Sequence, residues 1–197
     1  MSLHIYIEGG GDRNELKIRC RRGYQSLLGK MGLQRMPRTV ACGGRDTAFD
    51  KFKTAIRNGQ DAILLVDSED PVAEKATPWS HLKARDGWDQ PANTDDEQAQ
   101  LMVTCMETWI VADHEALKRV FGSCMRESSL PPLVELESRN RHDVLAALEN
   151  ATKSCGRTRM YKKGARSFQI LGELNPSTLK THLPHFEIFE GVLKKWV

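Results

Sequence analysis

No apolar run in this chain of 197 residues approaches the roughly 18 residues that a membrane-spanning helix needs. The first residues, Met1-Ser2-Leu3-His4, lead straight into a strand-like segment with no basic or apolar leader, so no export signal is expected. Cysteine is sparse: Cys20, Cys42, Cys105, Cys124 and Cys155 are odd in number, widely scattered, and contain no Cys-x-x-Cys pair. That pattern argues against a zinc knuckle and a disulfide framework, and for a reducing cytoplasm. No serine sits in a Gly-x-Ser-x-Gly elbow, which removes the main serine-hydrolase class. Gly23 to Lys30 ends in Gly-Lys, but the spacing misses the phosphate-loop pattern by one and lies within an amphipathic helix. Internal repeats and low-complexity tracts are absent. A net charge of +3 is too small to argue for or against nucleic acid, so the placement of charge matters more than its sum.

What is present is a stretch that organises the rest, Asp61-Ala-Ile-Leu-Leu-Val-Asp-Ser-Glu-Asp70. The apolar run from Ala62 to Val66 ends in Asp67, Glu69 and Asp70. A run that short and uniformly apolar reads as a strand buried on both faces, as in a parallel sheet. If extension continues, Asp67 and Glu69 share a face about 7 Å apart along the strand. Two unpaired carboxylates on one face repel, and a divalent cation would compensate them. The competing reading is a helix N-terminus, where acids complement the dipole.

Around it the order is strand, helix, strand, helix, strand. Leu3 to Ile7 is a strand ending at Glu8. The turn Gly9-Gly10-Gly11-Asp12-Arg13-Asn14 follows, in which Asp12 or Asn14 can cap a helix from Glu15 to about Lys30. On that helix Lys17, Arg19, Arg21 and Arg22 read as a solvated face. A strand over Met36 to Cys42 and a helix over Thr47 to Asn58 precede the acidic stretch. This alternation predicts βαβ units and a mostly parallel four-stranded sheet between helices. Pro71 to Asp96, with Trp79 and Trp88, reads as a lid or substrate-contacting loop; the alternative is an ordered connection packed by its tryptophans. Leu101 to Met106 is the fourth strand, and Glu107 starts a helix running to Phe121. The remainder is helical over Arg141 to Lys153, Ser167 to Leu174, and Pro184 to the end. An α/β domain over 1–125 with a helical extension over 126–197 is expected.

In a parallel sheet Glu8, Asp67 and Glu69 reach the same edge. Hard oxygen donors without His or Cys favour Mg²⁺ or Mn²⁺, ions suited to phosphodiester chemistry. The glycine turn lets backbone N–H groups approach a phosphate. Asp12 is either a ligand or a cap, and Glu107 either joins the metal site or pairs with an arginine. The basic run Arg157, Arg159, Lys162, Lys163 and Arg166 suits a polyphosphate backbone, with Tyr161 available to stack on a base; a solvated basic loop is the alternative.

Glu8-Gly9 after the first strand, with Asp67-x-Glu69 after a later one, resembles the signature of TOPRIM domains over about residues 3 to 113. The wider pattern Ile-Glu-Gly-Gly-Gly-Asp-Arg-Asn-Glu-Leu, Leu-Val-Asp-Ser-Glu-Asp and Met-Glu-Thr-Trp resembles a small bacterial TOPRIM-like family of unknown function over nearly the whole chain. The resemblance implies a Rossmann-like fold and a metal-dependent nuclease acting on DNA or RNA. It implies Glu8 as general acid or base, with Asp67 and Glu69 holding metal, supported by Asp70. Aspartate is usual at the position of Glu69. Some nucleases of the group use a lysine outside the acidic core, here Lys163 or Lys162. Members are often encoded beside an ABC-type ATPase. That implies a partner ATPase, with this chain either the effector of a phage-defence system or a non-catalytic binding subunit.

Overall fold

The computed structural model describes residues 2–197. Four strands form one all-parallel sheet: β1 (His4–Gly10), β2 (Arg38–Gly43), β3 (Ala62–Asp67) and β4 (Ala99–Met102), in the order β2-β1-β3-β4. The α/β expectation therefore holds. β3 is central, and Ala62 to Val66 are all fully buried. Because strand side chains alternate, β3 serves two cores. Ile63 and Leu65 enter one with Ile5, Ile7 and Met102, whereas Leu64 and Val66 enter the other with Tyr6, Ala99 and Leu101. Each such aliphatic side chain contributes about 1.5–3 kcal/mol relative to exposure.

The crossover helices take opposite faces. α1 (Asn14–Gly29) buries Cys20, Tyr24, Leu27 and Leu28 in the first core, and α2 (Arg45–Arg57) buries Phe49 and Phe52 in the second. Each begins and ends within two residues or so of its expected span, as frayed termini allow. Neither Asp12 nor Asn14 caps α1: Arg13 is the residue before its first turn, and no side chain accepts there.

The segment read as a lid or substrate-contacting loop is ordered rather than a free lid, and it brings Arg85 and Asp86 beside the acids. It contains α3 (Pro78–Asp86), with the Thr77 side chain accepting from the Ser80 N–H at 3.3 Å and Gly87 in the left-handed region at φ 72°. Trp88 stacks on Phe49 with ring centroids 4.3 Å apart, and Trp79 packs on Phe52 at 5.9 Å. The tryptophans hold this segment to α2, which a free lid would not allow.

The helix expected from Glu107 to Phe121 is two helices, α4 (Met106–Ala112) and α5 (His114–Phe121). The break is at Asp113, whose carboxylate accepts from the Ala116 N–H at 2.9 Å and the Asn175 N–H at 2.8 Å. α6 (Arg141–Thr152), α7 (Ala165–Glu173), α8 (Pro176–His182) and α9 (Pro184–Trp196) complete the chain. The α8 turn, capped by Asn175 with Pro176 at its first position, was not anticipated. These helices close over the first core, where Trp109 of α4 meets Phe186 of α9 edge-on at 4.8 Å. One cysteine expectation is corrected: Cys124 and Cys155 are disulfide-bonded across 31 residues of sequence, while Cys20, Cys42 and Cys105 are buried free thiols. Packing of α6 brings that pair together, which linear scatter does not reveal. Among the described residues, no helix is long and apolar enough to cross a membrane.

Candidate metal centre

β1 and β3 pair in parallel, with Ile7 opposite Leu65, so Glu8 and Asp67 leave the sheet at the same carboxyl edge. The Asp67 N–H donates to Glu8 Oε2 at 3.2 Å, which ties the two strand ends together. Asp67 Oδ1 accepts from the Met106 N–H at 2.8 Å, placing its charge at the start of α4. Glu69 arrives differently from expectation. Its backbone is left-handed, at φ 68°, so the extended alternation ends after Asp67. The Ser68 and Glu69 N–H groups donate to Met102 O and Thr104 O, at 2.9 and 2.8 Å, and this ladder carries the turn. The turn still brings the Glu69 carboxylate back: one ligand oxygen each from Glu8, Asp67 and Glu69 lies within 4.8 Å of the other two. A non-glycine residue held left-handed costs on the order of 1–3 kcal/mol and concentrates at functional sites.

Three hard carboxylate oxygens at one edge match the donor preference of Mg²⁺ or Mn²⁺. Glu69 Oε2 is buried and makes no hydrogen bond, but it faces the guanidiniums of Arg85 and Arg141, which a bound cation would have to displace. Burial is the main force raising the Glu8 carboxyl above its ordinary value, against the Arg45 guanidinium and the Asp67 N–H, which favour its ionised form. Asp67 is pushed well up, first by burial and then by the charges of Glu8 and Glu107. The carboxylates thus repel one another at close range, the condition under which a cation binds.

Arginines frame the acids, and sequence reasoning missed them. Arg45 starts α2 immediately after Gly43-Gly44. It ion-pairs with Glu8 at 3.2 Å and Asp86 at 2.6 Å, donates to the Asp67 carbonyl, and lies 5.0 Å from the Trp88 ring. Its position just past a strand end in a parallel sheet was the available signal. Arg85 of α3 approaches Glu69 at 3.6 Å, and Arg141, at the start of α6, pairs with Glu69 as well.

The opposite wall comes from α4 and the basic segment. Glu107 is 2% exposed; its Oε1 accepts from the Tyr161 hydroxyl at 2.8 Å, and its Oε2 lies 3.2 Å from Lys163 Nζ. Glu107 pairs with a lysine rather than an arginine. Burial is the largest single influence on Lys163 and lowers its pKa, but Glu107 and Asp67 together outweigh it and hold the ammonium form. Between the walls lies a cavity of about 320 Å³ lined by Glu8, Asp67, Glu107, Lys163 and the glycine turn. That turn is possible because Gly9, Gly10 and Gly11 all take positive φ, and a Cβ on Gly10 would come 2.8 Å from the Lys17 backbone.

The remaining expected residues are elsewhere. Asp12 is exposed and outside the acid cluster. Asp70 is exposed, pairs with Arg85 at 3.4 Å, and is not part of the converging triad. Tyr161 is fully buried, its hydroxyl shared between Glu107 and Ser167, so it cannot stack on a base. Arg159 is anchored on the Phe121 carbonyl at 3.1 Å and Arg166 on Gln169 and the Thr158 carbonyl, while Arg157 and Lys162 are exposed.

The chain belongs to the family described as Domain of unknown function (DUF4276), whose model matches residues 7–194. No curated protein and no solved structure matches it.

Proposed function

We propose that this protein is a metal-dependent phosphodiesterase of TOPRIM type that acts on nucleic acid, with Mg²⁺ or Mn²⁺ held by Glu8, Asp67 and Glu69. The observation that carries the reading is the convergence of those three carboxylates, from two adjacent parallel strands and the turn after one of them, within 4.8 Å. The bound ion would supply Lewis-acid stabilisation of charge on phosphate oxygens. Glu8, whose carboxyl burial raises above its ordinary value, is placed to hold or release a proton at the acid site. Lys163, kept charged by Glu107, presents an ammonium to a phosphate oxygen from across the cavity. The glycine turn leaves that oxygen room to approach the backbone.

A second reading is a non-catalytic binding subunit of a partner ATPase. It draws on the arginines: Arg45, Arg85 and Arg141 already pair with the acids, as in a structural charge cluster. The test is incubation of the purified protein with labelled DNA and RNA and with Mg²⁺ or Mn²⁺, beside Asp67→Ala. Metal-dependent cleavage lost in the variant is the expected result. Equal cleavage by both proteins sinks the site assignment, and no cleavage with tight ATPase binding favours the subunit reading.

A further inference from the structure

The acid-site cavity does not stand alone. Lys163 lines it and also lines a second cavity of about 310 Å³, together with Arg19, Lys162, Arg166 and Gln169. Arg19 and Gln169 in turn line a third, of about 250 Å³, with Arg22, Ser26 and Glu173. Three hollows are therefore stitched end to end by shared residues. They run from the carboxylates along the seam between α1 and α7. The seam is tight: a Cβ on Gly23 of α1 would come 2.5 Å from the Phe168 carbonyl of α7. Each hollow holds only about 250 to 320 Å³, room for part of one strand and not for a duplex.

The middle hollow of this furrow carries charge of one sign, from Arg19, Lys162, Lys163 and Arg166. Arg19 and Arg22, with Glu15 and Ser26, recur at the spacing of a single helix face. No acidic side chain lines the second cavity among the described residues. Glu15 pairs with Arg19, but both are solvent-exposed, and such pairs hold little energy against a competing phosphate. Glu173 marks the far end. Arg166 is braced by Gln169 and a backbone carbonyl, neutral partners that position its charge without cancelling it.

We infer that the furrow formed by Arg19 and Arg22 of α1 with Lys162, Lys163 and Arg166 binds the phosphate backbone of a single-stranded polynucleotide and leads it to the acid site. This deepens the phosphodiesterase reading and rests on it for what happens at the end of the track. The segment of α1 from Arg19 to Ser26 spans about 10 Å, which faces roughly three phosphates of a stacked strand. Tyr161 is buried, no aromatic lines the second cavity, and Phe168, which lines the first and third, is itself buried, so recognition is by charge and is indifferent to base sequence.

The experiment measures binding without turnover. A short fluorescein-labelled single strand of mixed sequence, as DNA and as RNA, is titrated in EDTA with Asp67→Asn protein over a range of salt. The same background carries either Arg19→Glu with Arg22→Glu, or Lys51→Glu with Arg57→Glu. The latter pair lies on α2, across the sheet from the track. Thermal melts confirm that each variant folds. The track pair is expected to lose at least tenfold in affinity and to flatten the salt slope by about 1.4, two single-strand phosphate contacts; the α2 pair is expected to change neither. Equal losses in the two pairs, no binding by the unreversed protein, or tighter binding of a duplex than of the single strand overturns the track. Cleavage of bis(p-nitrophenyl) phosphate, which needs no track, reports separately on the phosphodiesterase reading.

Discussion

Lys163 Nζ stands 3.2 Å from Glu107 Oε2, joining the segment before α7 to the first turn of α4 across the mouth of the acid site. The pair is lopsided, since Glu107 is buried and the Lys163 side chain is 56% exposed. Lys163→Met is therefore expected to cut cleavage about 10- to 100-fold and also to lower stability, since it leaves the buried Glu107 carboxylate without its cation, though by less than the loss of a pair buried at both ends. Glu107→Ala leaves the buried Tyr161 hydroxyl without its carboxylate acceptor and is expected to cost about 1–3 kcal/mol. Rates and urea melts of the two variants separate these roles; a Lys163→Met protein with undiminished cleavage removes the lysine from the site.

Metal should be visible through stability even before activity is measured. A site that binds only the folded chain stabilises it by about 2.7 kcal/mol when the ion is at a hundred times its dissociation constant. Mg²⁺ or Mn²⁺ is expected to raise the melting temperature of the wild type and to leave Asp67→Asn unmoved. Na⁺ at matched ionic strength controls for screening.

The ion-free protein should be less stable at neutral than at mildly acid pH on account of these same carboxyls. Glu8 and Asp67 are raised from ordinary values of 4.5 and 3.8, so the folded chain keeps protons that the unfolded chain has released. Their contribution is fully present below the unfolded values and is lost as pH rises through the folded ones. Melting temperatures in EDTA are expected to fall as pH rises above the ordinary carboxyl values, and more steeply for the wild type than for Asp67→Asn. A parallel decline in both removes Asp67 as the source.

Arg45 supports the site from below. Its side chain is 13% exposed and that of Asp86 9%, so Arg45→Met strands Glu8 in a poorly hydrated place and leaves Asp86 with Arg85 alone. Breaking such a pair costs about 3–5 kcal/mol. The double variant Arg45→Met with Asp86→Leu is expected to recover part of that loss, and chemical denaturation measures both. No recovery would locate the loss in the Glu8 contact or in stacking on Trp88.

β3 and the acids after it were legible because a strand buried on both faces must be uniformly apolar, and because parallel strands deliver their ends to one edge. The glycine turn was legible for a related reason, since only glycine takes three consecutive positive φ angles without strain. Tyr161 was misread: a tyrosine among basic residues looks the same whether it stacks on a ligand or donates to a buried carboxylate. The Pro71 to Asp96 connection was misread because its tryptophans find their partners, Phe49 and Phe52, on an earlier helix.

The sequence by itself determined the alternating strands and helices, the shared edge of Glu8 and Asp67, and the hard-oxygen character of the donor set. These follow from periodicity and residue chemistry, which are local. Tertiary structure alone decided that Glu69 reaches the triad through a left-handed turn rather than an extended strand. It alone decided that Arg45, Arg85 and Arg141 frame the acids, and that α1 and α7 run together into one basic furrow. Those outcomes depend on which surfaces meet when two cores close on opposite faces of the sheet, and no spacing along the chain encodes that distance.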